Sequence, residues 1–273
     1  MNKTFSIDSY KKVFDEYASR YDRSDGRVEL KIIHTNAVVS IMAQICENRH
    51  LPEHTEKLAL LCALFHDIGR FEQLKQYDTF LDHKSIDHAL LGCQVLKENG
   101  ILDSLPPQDK ENVLTAIANH NRLEIDPAIV TAAKAPGASD ESRELLELCK
   151  LIRDADKCDI FRVFAVDDMT DVVGVPDETV AKEVVSPAVM DAMRSHRCID
   201  KRLRRTYLDF WASFLGFFFD LNYPESLAIA KKQGYYRVPF DRVTFEKPEA
   251  KKQVAEILSI VEDYIDHFTG RPD

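Results

Sequence analysis

The amino-acid sequence predicts an all-α fold, and three observations support this. Apolar residues recur at spacings of three and four along most of the chain. No segment shows the convincing apolar and polar alternation that is typical of a half-exposed strand. Residues that favour helix boundaries separate the periodic segments, as Gly100 does before Pro106 and Pro107. We therefore expect a bundle of helices.

The predicted helices follow one another with short connections. A turn at residues 22–26 separates the first two, Ser85 is the predicted N-cap of the fourth, and residues 132–140 form a loop. The helices cover residues 8–20, 28–47, a third segment ending near 73, then 85–100, 106–121 and 141–166, with more helices to the end. We divide the chain into an N-terminal helical extension at 1–28, a helical core at 29–166 and a C-terminal helical region packed on that core at 167–273.

Composition and charge exclude several classes of partner. The chain has 273 residues and a formal net charge of -10, so a nucleic-acid polymer is not an expected partner. Its six cysteines are scattered without a CxxC pair, which indicates reduced thiols. The N-terminus does not resemble a secretory signal, and the most apolar later segment, residues 208–221, is too short to span a bilayer. We expect a cytoplasmic protein with a small-molecule partner and no membrane partner, and homo-oligomerisation stays open.

Two ionisable residues end the most apolar predicted helix. The segment LALLCALFHDIGRFEQL, residues 58–74, runs through eight apolar or near-apolar residues before His66 and Asp67. Burying a carboxylate or imidazole without a partner in an apolar interior destabilises the folded state by roughly several kcal/mol. This pair therefore needs a charged partner, a hydrogen-bond network or a metal ion.

The same anomaly recurs on other predicted helices, where an imidazole or a carboxylate lies on the apolar face. These residues are His34, His88, His120, Asp156 and Asp159. A core histidine explains each imidazole taken alone, whereas a shared cation explains the whole set. Imidazole and carboxylate together suit zinc, manganese, iron and other first-row metals.

Helical periodicity separates the aspartates of the sixth predicted helix. Asp156 lies four residues after Ile152 and belongs to the apolar stripe. Asp154 is predicted on the solvated polar face, in a charge set with Glu147, Lys150 and Lys157. Asp156 is therefore the predicted ligand, and Asp154→Ala is expected to keep both metal and fold.

The order of His34, the His66-Asp67 pair and Asp156 resembles that of the metal-dependent phosphohydrolases of the HD superfamily. The segments that carry the resemblance are KIIHTNAVV, ALFHDIGRF and LIRDADKCD, and SIDHALLG and AIANHN resemble the additional histidine motifs of two-metal members. The resemblance covers residues 29–166. It implies a helical metal-binding core with the ligands His34, His66, Asp67, His88, His120 and Asp156, in which Asp67 bridges two sites.

The resemblance also implies the chemistry. His66 and Asp67 would be catalytic, and one or two divalent ions (Mn, Fe, Zn, Co, Ni or Mg) would activate a water that attacks a small phosphomonoester or phosphodiester, with nucleotides among the candidates. A di-iron oxygenase of the same fold and a non-catalytic, metal-bound ligand sensor remain alternatives. The HD-GYP branch is not expected, because no GYP follows the HDIG segment and Asn121 replaces a second adjacent histidine. Arg70, Lys31 and Gln73 are candidates for binding substrate.

Overall fold

The computed structural model describes residues 6–166 and 176–269, and these residues form helices and connections without a strand. The all-α prediction is confirmed. The chain divides into two compact units, Met1–Asp156 and Lys157–Asp273, and each is described by itself. The predicted boundary after Val166 lies further along the same helix. None of the helices in the described residues is long and apolar enough to cross a membrane.

The described residues of the first unit include eight α-helices, the last of which contributes its residues as far as Asp156. They are α1 (Ile7–Ala18), α2 (Gly26–Asn48), α3 (Glu53–Phe65), α4 (Gly69–Tyr77), α5 (His88–Glu98), α6 (Pro107–Asn119), α7 (Pro127–Lys134) and α8 (Asp140–Val166). The N-terminal helix belongs to this unit, because the ring of Phe14 packs edge-on against Phe71 of α4 at 5.9 Å.

The third predicted helix is in fact two helices with a bend between them. α3 ends at Phe65 and α4 begins at Gly69. Within the bend, the amide of Ile68 donates to the carbonyl of Phe65 at 3.2 Å, and that of Arg70 donates to the carbonyl of Asp67 at 2.9 Å. These three-residue turns place the His-Asp pair at the bend rather than inside a straight helix.

Two further predictions about helix boundaries are wrong. Asp87, rather than Ser85, caps α5, because its carboxylate accepts hydrogen bonds from the amides of Ala89 and Leu90. The helix α7 begins after Asp126 and covers the start of the predicted loop at 132–140. None of the residues of this short helix is buried.

Gly69 lets α4 approach α5 closely. A Cβ atom at this position would lie 2.5 Å from the amide nitrogen of Gly92 and closer still to the carbonyl oxygen of His88. Only a residue without a side chain fits between these backbones. The contact brings the bend at Asp67 next to the first turn of α5.

The described residues of the second unit, which begins with the last ten residues of α8, also form helices and connections without a strand. Its helices are α9 (Asp177–Val180), α10 (Pro187–Arg194), α11 (Tyr207–Leu215), α12 (Pro224–Gln233), α13 (Val238–Arg242) and α14 (Pro248–Thr269). Thr206 and Asp209 form a capping box at the start of α11. Trp211 and Phe218 are fully buried, so the aromatic segment 210–219 contributes to the core of this unit.

Candidate metal centre

Four histidines and two aspartates of the first unit lie together in one group, which we call the His/Asp cluster. Its members are His34 on α2, His66 and Asp67 in the bend after α3, His88 at the start of α5, His120 directly after α6, and Asp156 on α8. The first five are at most 4% exposed, and the Asp156 side chain is 14% exposed. These are the six residues that the sequence predicted as metal ligands.

Four donor atoms face one another on one side of the cluster. The Nε2 atom of His34 lies 3.2 Å from both Asp156 Oδ1 and His66 Nε2. Asp67 Oδ2 lies 3.7 Å from each of these imidazole nitrogens. Ligand atoms around a tetrahedral zinc with bonds of about 2.1 Å are about 3.4 Å apart, so the four atoms have the spacing of a first-row metal site. We call this group the first position.

Three donor atoms form a second group that shares Asp67. The Nε2 atoms of His88 and His120 lie 3.1 Å apart. Asp67 Oδ1 lies 3.3 Å from the former and 3.9 Å from the latter. The two oxygens of one carboxylate therefore face two different histidine pairs, as a bridging ligand requires. We call this group the second position.

Hydrogen bonds at the far side of two imidazoles fix which nitrogen carries the proton. The Nδ1 atoms of His66 and His120 donate to the carbonyl oxygens of Ala63 and Ile117 at 2.8 and 2.7 Å. A carbonyl oxygen can only accept, so Nδ1 is protonated and Nε2 of the neutral ring presents a lone pair to the cluster. The arrangement directs the free nitrogens toward a cation.

The electrostatics of the cluster favour the ligating protonation states. Burial lowers the pKa of His120 to about 3, with the neighbouring histidines adding to the effect. Burial alone would raise the pKa of Asp67, but the charge of Lys31 and other neighbouring cations holds it well below its usual value. Burial likewise opposes ionisation of Asp156, and the neighbouring imidazoles of His34 and His66 hold its pKa well below the usual value. Neutral imidazoles and ionised carboxylates are the forms that bind metal ions.

The structure corrects the reason for preferring Asp156 over Asp154. Asp154 is 0% exposed and Lys157 is 6% exposed, so the prediction of a solvated face is wrong. Asp156 nevertheless belongs to a group of donor atoms with His66 and His120. Because α8 buries residues on several faces, helical periodicity alone cannot say which carboxylate points at the cluster.

Lys31 and Arg70 lie beside the cluster rather than on the open surface. Lys31 Nζ is 2.7 Å from Asp67 Oδ2, and Arg70 Nε is 3.4 Å from Asp67 Oδ1. Their side chains are 14% and 15% exposed, so both remain accessible to a small molecule. The ring of Phe80 is near both, with its centroid 5.4 Å from Lys31 Nζ and 5.6 Å from Arg70 Cζ.

Gln73 occupies a different place from the one predicted. Its side chain is fully buried and its Nε2 atom donates to Asp82, Ser85 and the carbonyl of Ile86, each at 2.9 Å. Its Oε1 atom accepts from Arg70 at 2.9 Å. The amide is thus committed to internal hydrogen bonds, which position Arg70 and leave no group for a substrate.

Asp82 is a residue of the centre that sequence reasoning missed. Its Oδ2 atom accepts from Nδ1 of His88 at 2.8 Å, and its Oδ1 atom accepts from Arg70 and Gln73 at 3.0 and 2.9 Å. Burial opposes ionisation, but the hydrogen bond from His88 and the nearby charges hold the pKa of Asp82 well below its usual value. The residue lies between α4 and α5 on a segment without helical periodicity, so no pattern could have indicated it.

Comparison with known families matches the part of the chain that carries the His/Asp cluster. Residues 32–160 match the family model described as HD domain. The matched segment contains all six members of the His/Asp cluster, as well as Arg70, Gln73 and Asp82. Comparison with curated proteins and with solved structures gave no match.

Proposed function

We propose that this member of the HD superfamily, with its HD domain at residues 32–160, is a metal-dependent hydrolase of a small phosphate ester. Proteins with this domain are mostly metal-dependent hydrolases. The observation that carries the proposal is the position of the Asp67 carboxylate, whose oxygens face one histidine pair each. The substrate would be a phosphomonoester or a phosphodiester, with nucleotides among the candidates.

The donor set fits one or two divalent first-row ions. His34, His66, Asp67 and Asp156 would hold the first ion, and Asp67, His88 and His120 the second. Divalent ions in these positions would polarise a phosphoryl oxygen and lower the pKa of a bound water, so that a hydroxide is available near neutral pH. Asp67 belongs to both positions, and the bend holds it beside His66 of the first position. His66 and Asp67 are therefore the two residues to which we assign the catalytic role.

Lys31 and Arg70 supply the positive charge that a phosphate group requires. Both lie within 3.4 Å of the Asp67 carboxylate, and both retain some exposure. Asp82 and Gln73 hold the Arg70 guanidinium through Nη1, and its Nε atom faces the Asp67 carboxylate, so the guanidinium is kept beside the cluster where a phosphate would bind. A phosphate group bound here would contact Lys31 and Arg70, and these two cations would orient it for attack by the metal-bound water.

Phosphate release from a panel of nucleotides and small phosphate esters, with Mn²⁺ added, tests the proposal. We expect release by the unaltered chain and loss of release in Asp67→Ala, while Asp103→Ala, which removes a carboxylate that is 62% exposed, leaves release unchanged. If the chain still binds metal but releases no phosphate from any compound of the panel, the proposal is contradicted. Iron content with oxygen consumption would then indicate a di-iron oxygenase, and nucleotide binding without product would indicate a sensor.

A further inference from the structure

We propose that Arg153 is a positioning residue for the second metal position, because it holds in place the backbone that carries the ligand His120. Arg153 lies on α8, three residues before Asp156, and is 1% exposed. It acts in this way only if the cluster binds metal, as the proposed function requires. Its side chain contacts the chain around His120 rather than the cluster atoms themselves.

The guanidinium of Arg153 binds the carbonyl oxygens at the end of α6. Its Nη1 atom donates to the carbonyls of Asn119, His120 and Arg122 at 3.2, 3.4 and 2.6 Å, and its Nη2 atom donates to that of Leu123 at 3.0 Å. The last carbonyls of a helix have no intrahelical donor and form the negative end of the helix dipole. A buried cation is therefore well suited to this end of α6.

The backbone of His120 lies just outside a helix, whereas His34 and His88 belong to helices. His34 lies inside α2, where helical hydrogen bonds on both sides hold its backbone. His88 begins α5, next to the capping residue Asp87. His120 instead follows the last residue of α6, and the next helix begins only at Pro127. Without Arg153, the carbonyls of this buried segment would lose their charged donor and the imidazole its fixed direction.

The two metal positions differ in how much they depend on Arg153. His120 also lies within 4.8 Å of the donor atoms of His66 and Asp156, but the first position has four donor residues besides His120, whereas the second has only three donors and includes it. A shift of His120 therefore removes one of three donors from the second position and none of the four that we assign to the first. Loss of Arg153 should weaken the second position selectively.

Calorimetric titration of the metal-stripped chain with Mn²⁺ tests this role without any substrate. His34→Ala and His120→Ala identify the binding steps of the first and second positions. We expect Arg153→Met to weaken the second step by about 10- to 100-fold and to leave the first close to unaltered, with partial recovery in Arg153→Lys. Lys157→Met is the matched control, because Lys157 is a buried basic residue of the same helix that pairs with Asp220 at 2.9 Å. The Lys157→Met variant should bind Mn²⁺ in both steps as the unaltered chain does.

Nuclear magnetic resonance of the metal-free chain gives a second readout. In Arg153→Lys, we expect the Nδ1 proton of His120, which donates to Ile117, to exchange with water at least several-fold faster than in the unaltered chain. This variant also serves if Arg153→Met does not fold. An unchanged second step with unchanged proton exchange would overturn the role, as would equal weakening of both steps or the same loss in Lys157→Met. Phosphate release plays no part in these readouts, so failure of the proposed hydrolysis would be seen separately.

Discussion

Lys31 donates to Asp67 across 2.7 Å, at the same carboxylate oxygen that faces His34 and His66. The lysine thus competes with a metal ion for Asp67 while it supplies a cation for a phosphate. Lys31→Met should therefore have opposite effects on two ligands. Metal binding at the first position should tighten, because the cluster becomes more negative, whereas the KM for a phosphate substrate should rise by about 10- to 100-fold.

Calorimetry with Mn²⁺ and steady-state kinetics measure the two effects separately. Lys110→Met is the control, because that lysine pairs with the exposed Asp103. Weaker metal binding in Lys31→Met, or an unchanged KM, would show that Lys31 serves only to stabilise the buried carboxylate.

Asp156 and Asp154 should differ in what their removal costs. Asp156→Ala should lose the metal of the first position, because this carboxylate lies 3.2 Å from His34 and 3.6 Å from His66. Asp154→Ala should retain metal in its folded fraction but lose about 1–3 kcal/mol of unfolding free energy, because Asp154 is a fully buried polar group with interactions of its own. Metal content and thermal unfolding of the two variants measure both effects. Equal metal loss would contradict the assignment of Asp156.

The sequence was sufficient for the all-α fold and for the residues of the cluster, because imidazoles and carboxylates on apolar helix faces are conspicuous. It was insufficient where burial is not periodic. Asp154 is buried on a helix that has more than one buried face, and Asp82 lies between helices. Gln73 fits the spacing for a substrate contact but turns inward to Asp82. Such roles depend on what faces the residue across the fold, which no local pattern records.

Asp82→Asn should weaken the second position without unfolding the chain. An asparagine oxygen can still accept from His88, but the lost charge leaves the imidazole a poorer ligand and releases Arg70. We expect metal affinity at the second position to fall by about 10- to 100-fold, as for other groups that support a ligating histidine. Titration with Zn²⁺ measures this, and Asp103→Asn is the exposed control. Unaltered affinity would mean that the carboxylate does not tune His88.

Gly69→Ala should destabilise the first unit and disturb the second position together. The added methyl would meet the backbones of His88 and Gly92, which cannot move aside as a side chain would. We expect a loss of about 1–3 kcal/mol in unfolding free energy and weaker metal binding, because α5 carries His88 away from Asp67. Urea unfolding compared with Gly26→Ala, where no atom lies within 4 Å of the added carbon, isolates the effect. Equal stability of the two variants would exclude the close approach as a constraint.

The metal-free chain should lose stability as the pH falls from about 6.5 toward 3. Burial, followed by His88 and His66, lowers the pKa of His120 to about 3, whereas an unfolded histidine titrates near 6.5. Between these pH values His120 binds a proton in the unfolded chain but stays neutral in the folded chain. The unfolding free energy therefore falls as the pH falls, and His120 has no effect on it above this window. One such group contributes a slope of at most about 1.4 kcal/mol per pH unit.

The aspartates act in the same direction at lower pH. The pKa values of Asp67 and Asp156 are lowered by folding, so the stability that they contribute is present above their unfolded pKa, near 3.9, and is lost below it. Urea unfolding of chelator-treated protein at several pH values between 7.5 and 4.5 isolates the histidine window. His120→Gln should flatten the slope there, because a neutral amide replaces the titrating ring. A slope that is equally steep in His120→Gln would assign the effect to other groups, and stability that rises on acidification would contradict the lowered pKa of His120.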